Sequence, residues 1–360
     1  MSDRSEQLLC GLTKTDRIIE IGPLHAPIAP KAEGWATTVV DHAPREELLA
    51  KYMGHEHVDP ELIQEVDVIW CGGTLHDAFP AEEQGGYHAL IASHVIEHVP
   101  DVIGFLDSAS RLLDPQQGVV VLAIPDKRWC FDLFKPVSTT GQMLAAHRTR
   151  LVRHSPDKLF DHAAYSASNR GVDCWGRAKL SDVRFYVRLE DAKLAFDAWS
   201  DAPDAPYVDS HAWQFTPSSF ELLILELGEV GAADWRIDWI AEQPNAEFSL
   251  HLRRGRQRFA SLKERDARRI ELLKGIAREL REQANWQLED PIASDADAVA
   301  SDSVGTVPDS SASVVAATAA RLNQIEADLG RLHESLRPVH SLLSTLLPMR
   351  RIVARLRGRV

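Results

Sequence analysis

The sequence lacks the features of exported, membrane-spanning and nucleic-acid-binding proteins. Its four cysteines are scattered without a Cys-x-x-Cys pair, which disfavours a disulfide framework and a structural zinc site. It has no signal peptide and no apolar run near the roughly 18 residues that a membrane span needs. The formal net charge of -13 disfavours general nucleic-acid binding. We therefore expect a cytoplasmic protein of a reducing compartment.

Five short apolar segments alternate with helical patterns in the first half of the chain. These segments lie at 17–22, 36–42, 66–70, 87–93 and 118–125. Their β-branched residues predict buried strands, and the alternation predicts a parallel, doubly wound α/β sheet. The predicted helices lie at 44–53, 101–113, 189–201 and 216–231. An antiparallel hairpin over 235–243 and 246–254 is expected to complete a Rossmann-like sheet of seven strands.

Composition divides the chain into four parts. Residues 1–254 are the α/β domain, with a large insertion after strand five at 126–215, where aromatic, His and Arg residues replace regular patterns and form a lid. Residues 255–288 are a charged helix. Residues 289–314 are a low-complexity linker that buries too little apolar surface to become ordered. Residues 315–360 carry leucines at heptad spacing, which predicts an amphipathic helical or coiled-coil tail with a basic end.

An acid and a glycine end the first predicted strand, and a second acid ends the next. These residues are Glu20, Gly22 and Asp41. In doubly wound sheets the loop after strand one approaches a ligand, and an acid after strand two accepts hydrogen bonds from ribose hydroxyls. This spacing predicts a nucleotide-like cofactor. The alternatives are that Glu20 only ends a buried strand and that Asp41 caps the next helix.

Residues 89–129 sharpen this prediction. Within them, 93–99 reads Ser-His-Val-Ile-Glu-His-Val and 113–118 reads Leu-Asp-Pro-Gln-Gln-Gly. Both segments closely resemble the region of strands four and five in class I S-adenosylmethionine-dependent methyltransferases. The resemblance covers residues 13–254, and it implies a methyltransferase with S-adenosyl-L-methionine as its cofactor.

The resemblance also implies roles for single residues. The implied cofactor-binding residues are Glu20, Gly22, Pro23, Asp41, Cys71, Gly72, Ser93 and His94. Cys71 and Gly72 occupy the turn after strand three, beside the adenine. Ser93 and His94 end strand four, beside the methionyl part of the cofactor, and the two residues Glu97 and His98 follow at the start of the next helix.

The cofactor loop departs from the family pattern. Leu24 and Ala26 fill the second and third glycine positions of the usual Glu-x-Gly-x-Gly-x-Gly motif. The cofactor has no pyrophosphate, so the backbone needs to approach it less closely than in a dinucleotide site. Three prolines disfavour a continuous helix from 23 to 30. We therefore expect a stiff, irregular loop.

The insertion supplies candidates for proton transfer. Asp161 and His162 lie in Phe-Asp-His-Ala-Ala-Tyr, and Asp209 and His211 lie in Tyr-Val-Asp-Ser-His-Ala-Trp. Converging carboxylates and imidazoles can act as a general base on a hydroxyl acceptor, and the candidates are His162, Asp209 and His211. Neither pair has the spacing of metal ligands, so no metal is expected. Solvated or structural loop residues are the alternative.

Two further groups of residues allow two interpretations each. His98 either packs at the start of a predicted helix or takes part in the site. The basic residues Lys127, Arg128 and Lys135 either face an anionic substrate, such as a diphosphate-linked glycan, or are ordinary surface charge.

Three motifs are similar to a bacterial subgroup of the family. They are 20–31 (EIGPLHAPIAPK), 124–128 (IPDKR) and 211–220 (HAWQFTPSSF). Members of that subgroup resemble enzymes of surface-polysaccharide biosynthesis, which implies O-methylation of a glycan or glycan precursor. The alternatives are methylation of a small metabolite or quinone, and a non-catalytic scaffold that acts through its tail.

The basic, leucine-rich tail predicts contacts outside the α/β domain. It is weakly similar to the tails of bacterial glycosyltransferases. Its composition also suits peripheral binding to the inner membrane. A glycosyltransferase, the membrane face and a second copy of the chain in a homo-oligomer are the expected partners.

Overall fold

The computed structural model of the protein describes residues 3–55, 58–200, 202, 207–244 and 246–288. Its strands are β1 (Ile18–Ile21), β2 (Thr37–Asp41), β3 (Val68–Ile69), β4 (Ala89–Ser93), β5 (Val119–Pro125), β6 (Ala167–Asn169), β7 (Val172–Asp173), β8 (Val183–Phe185), β9 (Trp235–Glu242) and β10 (Glu247–Arg254). Seven of them form one sheet in the order β3-β2-β1-β4-β5-β10-β9. Strands β1 to β5 are parallel, and β10 is antiparallel to β5 and β9. The predicted Rossmann-like sheet with its terminal hairpin is confirmed.

The central strands are buried on both faces of the sheet. In β4, Leu90 and Ala92 belong to one apolar cluster, whereas Ala89 and Ile91 belong to the cluster on the other face. Parallel strands covered by helices on both sides favour apolar residues at nearly every position, which explains the apolar runs of β5 and of β4 up to Ala92. This rigid centre holds the loops that follow β1, β2 and β4 at one edge.

The helices lie on both sides of the sheet and in the insertion. They are α1 (Asp3–Leu8), α2 (Arg45–Tyr52), α3 (Val102–Leu112), α4 (Thr140–Thr149), α5 (Pro156–Tyr165), α6 (Leu189–Asp197), α7 (Pro217–Glu229) and α8 (Leu262–Gln287). Asp101 starts α3 because its side chain accepts a hydrogen bond from the Gly104 N–H. Thr216 starts α7 in a capping box with Ser219. The predicted helices of the sheet region are therefore confirmed.

The insertion contains more regular structure than its sequence pattern indicates. Helices α4 and α5 lie within it, and β7, β6 and β8 form a separate antiparallel sheet. The expectation of a largely irregular segment was wrong here. Only Met143 and Ala146 are buried in α4, and only Ala164 in α5, so the apolar stripe is too narrow to show a clear helical period.

Helix α8 packs against α7 and belongs to the same compact unit as the sheet, Met1–Asp290. The Glu279 carboxylate accepts hydrogen bonds from the Ser218 backbone N–H at 3.1 Å and hydroxyl at 2.7 Å. One and two turns beyond Glu279, the Gln283 and Gln287 side-chain amides donate to the carbonyls of Leu133 and Arg128. The insertion and α8 are thus joined by buried hydrogen bonds.

Arg128 is the centre of a buried ion network rather than a surface charge. Its guanidinium is 0% exposed and bonds to the carboxylates of Asp126 at 2.5 Å, Glu242 at 2.9 Å and Glu282 of α8 at 2.7 Å. Lys127 is also buried, and its ammonium donates to the Leu133 carbonyl. Neither interpretation from the sequence, substrate contact or ordinary surface charge, holds for these two residues.

The predicted linker at 289–314 and tail at 315–360 lie outside the described residues, as do the contacts expected of that tail. Within the described part of the chain, no helix is long and apolar enough to cross a membrane.

Candidate active site

Glu20 organises the loop that follows β1. Its buried carboxylate accepts hydrogen bonds from the backbone N–H groups of Ile28 at 2.5 Å and Ala29 at 3.1 Å. From Gly22 to Pro30 the chain contains no helix, which confirms the expected irregular loop. The sequence suggested the carboxylate of Glu20 for ligand contact. In the structure this carboxylate holds the loop against the end of β1.

The proton of Glu20 gives a test of this arrangement. Burial raises the pKa of Glu20 to about 7, although the two backbone hydrogen bonds lower it. The ordinary value is 4.5, so the folded protein binds this proton more tightly than the unfolded chain. The contribution of Glu20 to the free energy of unfolding is therefore lost as the pH rises from about 4.5 to about 7.

We expect Glu20→Gln to remove this pH dependence, because glutamine does not titrate. The difference in free energy of unfolding between the two proteins should change by about 2–3 kcal/mol between about pH 5 and about pH 8. The wild-type protein should gain relative stability at the lower pH. Urea unfolding at both pH values measures this, and a difference that stays constant would contradict it.

Two residues in the left-handed region shape the start of the loop. Gly22 has φ 61°, and a Cβ there would contact Val95 at 3.6 Å. Leu24 has φ 43° at the second glycine position of the family pattern, and its side chain packs against the apolar cluster around Leu48. Between them, Pro23 accepts a hydrogen bond from the Ala26 N–H. Packing of Leu24 thus offsets the strain that a glycine would avoid.

Asp41 ends β2 with one carboxylate oxygen available. Its Oδ1 accepts hydrogen bonds from the backbone N–H of His42 at 2.7 Å and lies 2.6 Å from the His42 Nδ1. Its Oδ2 accepts none from the residues that the structure describes. Helix α2 begins after Pro44 without a side-chain cap, so the alternative role of Asp41 as a helix cap was wrong.

The turn after β3 lies beside Asp41. The Trp70 N–H donates to the Asp41 carbonyl at 2.8 Å, and the Cys71 thiol donates to the His42 carbonyl at 3.1 Å. Gly72 has φ 110°, a conformation that favours glycine. The residues predicted for the ribose and the adenine are therefore neighbours at the carboxyl edge of the sheet.

Side chains from α1 and β10 hold the end of β4. The Ser93 hydroxyl accepts a hydrogen bond from the Arg4 guanidinium at 2.7 Å. His94 has φ 54°, and its Nε2 lies 2.7 Å from the Glu247 carboxylate, which also pairs with Arg4. Strained non-glycine residues collect at functional sites. His94 lies next to the carboxylate of Glu97, which two further imidazoles also contact.

Three imidazoles surround the carboxylate of Glu97, which is 1% exposed. Its Oε1 lies 3.8 Å from His94 Nδ1, 3.8 Å from His98 Nε2 and 3.9 Å from His211 Nε2. Neither oxygen of Glu97 has a hydrogen-bond partner among the described residues. Glu97 and His98 lie in a 3₁₀ turn, Ile96–His98, and α3 begins only at Val102, so their placement at a helix start was wrong.

A second carboxylate holds each imidazole on its far side. The pairs are His98 Nδ1 with Asp209 at 2.8 Å, His211 Nδ1 with Asp132 at 2.5 Å, and His94 Nε2 with Glu247 at 2.7 Å. Because an ionised carboxylate only accepts hydrogen bonds, the Nδ1 atoms of His98 and His211 carry protons and their Nε2 atoms are directed at Glu97. The ring orientations are thus fixed.

The pKa values agree with ionised carboxylates in these pairs. Burial alone would raise the pKa of Asp132, but the hydrogen bond and charge of His211 and the charge of Lys135 lower it to about 2. The hydrogen bond from His98 holds the pKa of Asp209 below its usual range. Burial lowers the pKa of His98, yet its bond to Asp209 and the charge of Glu97 raise it overall.

His162 lies beside this cluster, and its ring centroid is 6.4 Å from that of His211. The Phe131 ring centroid is 4.6 Å from that of His211 and 6.2 Å from that of His162. The Lys135 ammonium pairs with Asp132 at 2.7 Å and lies 3.3 Å from His162 Nδ1. Burial, with the charge of Lys135, lowers the pKa of His162 to about 4, so the ring is neutral at physiological pH. The structure therefore brings all three base candidates, His162, Asp209 and His211, into one region.

Several residues of this region were missed from the sequence. Asp132, Glu247 and Arg4 come from separate segments and match no motif, and only the fold brings them to the histidines. His98 was left undecided, and its bond to Asp209 now places it in the site. The segment 211–220 has a mixed role, because His211 belongs to the cluster while Trp213 and Phe215 are buried in the apolar core.

Comparison with known proteins identifies the family. A family profile described as a methyltransferase domain matches residues 3–182. This match spans half of the chain, and the chain therefore belongs to the methyltransferase domain family. No curated protein sequence matches it significantly.

Solved structures give distant similarities. One is a protein described as a zinc-dependent alcohol dehydrogenase from Rhodobacter sphaeroides, with 12% identity over 70% of this chain and 89% of that chain and a TM-score of 0.35. Another is described as an S-adenosylmethionine-dependent methyltransferase from Listeria monocytogenes, with 9% identity, 71% and 96% coverage and a TM-score of 0.35. A third, from Methanosarcina mazei, is described in the same way, with 10% identity, 71% and 99% coverage and a TM-score of 0.33. TM-scores of this size carry no information about the reaction.

The protein is thus a methyltransferase, and its cofactor is S-adenosylmethionine. The carboxyl edge of the sheet fits this group, because the free Oδ2 of Asp41 suits a ribose hydroxyl. In the loop after β1, the buried Nδ1 of His25 has no hydrogen-bond partner among the described residues, so it is a second polar atom that suits the cofactor. When bound, S-adenosylmethionine supplies a methyl group on a positively charged sulfur.

Proposed function

We propose that the enzyme methylates a hydroxyl oxygen of a glycan or glycan precursor in bacterial surface-polysaccharide biosynthesis. The observation that carries the proposal is the cluster of Glu97, His98 and His211. Glu97 and His98 follow β4 just after Ser93 and His94, the residues proposed to bind the methionyl part of the cofactor. The leaving sulfur needs no protonation, so the chain has to position the acceptor and remove its proton. Imidazoles fixed by carboxylates suit a hydroxyl acceptor.

The cluster gives each candidate a role in this proposal. The bound cofactor would supply the methyl group, whose carbon–sulfur bond would break as the carbon–oxygen bond forms, and the hydroxyl proton would pass to the cluster. His211 is oriented by Asp132 in the manner of a general base. Asp209 orients His98. His162, which is neutral, is placed to contact the acceptor from the insertion.

Exposed aromatic rings beside the cluster support a sugar as the acceptor. Trp175 is 43% exposed, and its ring centroid lies 5.8 Å from that of His94 and 5.9 Å from that of Phe131. A sugar ring has apolar C–H faces and a polar rim, so an aromatic plane next to imidazoles and carboxylates matches both. The similarity of segments 124–128 and 211–220 to the polysaccharide subgroup points the same way.

The partners expected of the tail remain part of the proposal. Contact with a glycosyltransferase, with the inner membrane face or with a second copy rests on the sequence of 315–360. A cytoplasmic location near that membrane would place the enzyme beside lipid-linked glycan precursors.

Methyl transfer to a panel of acceptors tests the reaction. The panel contains nucleotide sugars, lipid-linked and free oligosaccharides, and a quinol as the small-molecule alternative. Mass spectrometry and NMR of the product made with isotope-labelled methyl donor should show a methoxy group on a sugar. A product methylated at nitrogen or carbon, or turnover of the quinol alone, would refute the proposal.

We expect Trp175→Ala to raise the KM for the glycan about tenfold while changing kcat less, because an aromatic contact contributes about 1.5 kcal/mol to binding. Trp286→Ala is the matched control, since Trp286 is also 43% exposed but contacts Trp129 instead of the cluster. Steady-state kinetics of both variants measure the effect. Equal KM values in wild-type enzyme and Trp175→Ala would remove Trp175 from the acceptor site.

A further inference from the structure

The geometry points to a divalent transition-metal site formed by Glu97, His98 and His211. One donor atom from each residue lies within 4.8 Å of the other two, which leaves space for one ion between them. Two imidazole nitrogens and a carboxylate oxygen are a common ligand set for Zn²⁺, Fe²⁺ and Mn²⁺ with further positions open. This inference deepens the proposed function, because it gives the cluster a mode of action.

The directions of the donor atoms favour an ion. His98 and His211 use Nδ1–H to bond a carboxylate, so both Nε2 lone pairs are directed at Glu97. A backing carboxylate on the second ring nitrogen is the usual arrangement of metal-binding histidines. Two lone pairs and a carboxylate that share one buried space repel each other unless a proton or a metal cation lies between them.

The carboxylate of Glu97 is the second observation. It is 1% exposed and without a hydrogen-bond partner among the described residues. A buried charge without a partner is costly. The imidazole nitrogens at 3.8 to 3.9 Å from its Oε1 are too distant for hydrogen bonds. An ion between these atoms would satisfy Glu97 and both Nε2 atoms together.

Charge balance agrees with a divalent cation. Glu97, Asp132, Asp209 and Glu247 contact the three imidazoles. Only two basic side chains, Lys135 and Arg4, pair with this group within the described residues. The carboxylates of this group therefore outnumber its basic side chains, an excess that a divalent cation would compensate.

The ligand set was not visible in the sequence. The expectation of no metal considered Asp161 with His162 and Asp209 with His211, and neither pair has ligand spacing. The ligands found here come from the turn after β4 and from the end of the insertion, more than a hundred positions apart. In the proposed reaction the acceptor hydroxyl would take an open position on the ion, which would lower the pKa of that hydroxyl. His211, with its Nε2 on the ion, would then be a ligand rather than the base, and the hydroxyl proton would pass to the neutral His162.

Metal titration of the full-length enzyme tests the inference. The protein is prepared without an affinity tag, treated with a chelator and titrated with CoCl₂ and ZnCl₂ separately. We expect one ion per chain, with visible absorption bands of protein-bound Co²⁺ that Zn²⁺ displaces. Binding only in the millimolar range, or no Co²⁺ bands, would overturn the inference without reference to any variant.

Variants locate the site. We expect Glu97→Gln to weaken metal binding about 100-fold or more and Asp132→Asn to weaken it about 10–100-fold. His147→Gln is the matched control, because His147 also pairs with a carboxylate, that of Asp101, at 3.0 Å but lies outside the cluster. Circular dichroism checks that each variant is folded. Equal affinity in a folded Glu97→Gln variant would rule out this site.

Binding and turnover can be separated. If the wild type binds no metal and the metal-free enzyme still transfers the methyl group, the metal site is refuted. The proposed function then stands, with His211 as the base. If the enzyme binds metal tightly but transfers the methyl group to no hydroxyl acceptor, the metal site is supported and the proposed function is refuted.

Discussion

An Arg128→Met variant is expected to lose about 3–5 kcal/mol of the free energy of unfolding. Arg128 is 0% exposed and donates three side-chain hydrogen bonds to the buried Asp126, while Glu242 and Glu282 complete the network. Methionine keeps much of the side-chain volume but leaves Asp126 as a buried charge without a counter-ion. Most of the loss arises from this uncompensated carboxylate rather than from the ion pairs themselves.

Arg177→Met is the matched control for this prediction. Arg177 pairs with the same two acids, Glu242 at 3.5 Å and Glu282 at 3.2 Å, and its guanidinium also lies over the Trp129 ring. It is 35% exposed, so its ion pairs are screened and its replacement should cost at most about 1 kcal/mol. Urea unfolding compares the two variants. Similar losses would mean that burial does not decide the strength of this network.

Adding Asp126→Asn to Arg128→Met should recover part of the stability. The double variant removes the buried negative charge together with its counter-ion. Removing both partners of a buried pair costs less than removing one. A double variant as unstable as the single one would locate the loss in packing instead.

An Asp41→Ala variant is expected to bind S-adenosylmethionine about 100-fold more weakly. Hydrogen bonds to a charged group contribute about 1.5–3 kcal/mol each, and the carboxylate of Asp41 is proposed to accept bonds from ribose. Its Oδ2 is available while Oδ1 is held by His42. Calorimetric titration with S-adenosylmethionine and S-adenosylhomocysteine measures the affinity.

A cofactor analogue without ribose hydroxyls makes this test specific. Wild-type enzyme should bind the 2′,3′-dideoxy analogue of S-adenosylhomocysteine about as weakly as Asp41→Ala binds S-adenosylhomocysteine. In the variant, removal of the hydroxyls should cost little more, because the interaction is already lost. Independent, additive losses would show that Asp41 acts elsewhere than on the ribose.

The sheet could be predicted from the sequence because its cause is local. Strands such as β4 and β5 are buried on both faces, and this demands the apolar runs that were recognised. The insertion resisted prediction for the opposite reason. Its helices α4 and α5 bury few residues, so tertiary contacts and caps such as Thr139 decide where they form.

The candidate site divides in a similar way. Asp41 and Gly22 could be predicted to lie near each other because they follow strands whose ends must meet at one edge. Asp132 was not recognised as a site residue, because its role depends on its contact with His211. No sequence pattern between the two residues indicates that contact. Glu97 was expected just beyond strand four, but its lack of hydrogen-bond partners is a property of three-dimensional packing that the sequence does not show.

Helix α8 sets the limit for any shortened form of the enzyme. Gln283 and Gln287 donate to the carbonyls of Leu133 and Arg128, which flank the segment that carries Asp132, the residue that orients His211. A chain cut after the last strand at 254 would contain the complete sheet but lose this brace. The smallest complete catalytic unit therefore ends after Gln287. A displacement of the end of α8 would shift Asp132 and, through it, the imidazole of His211.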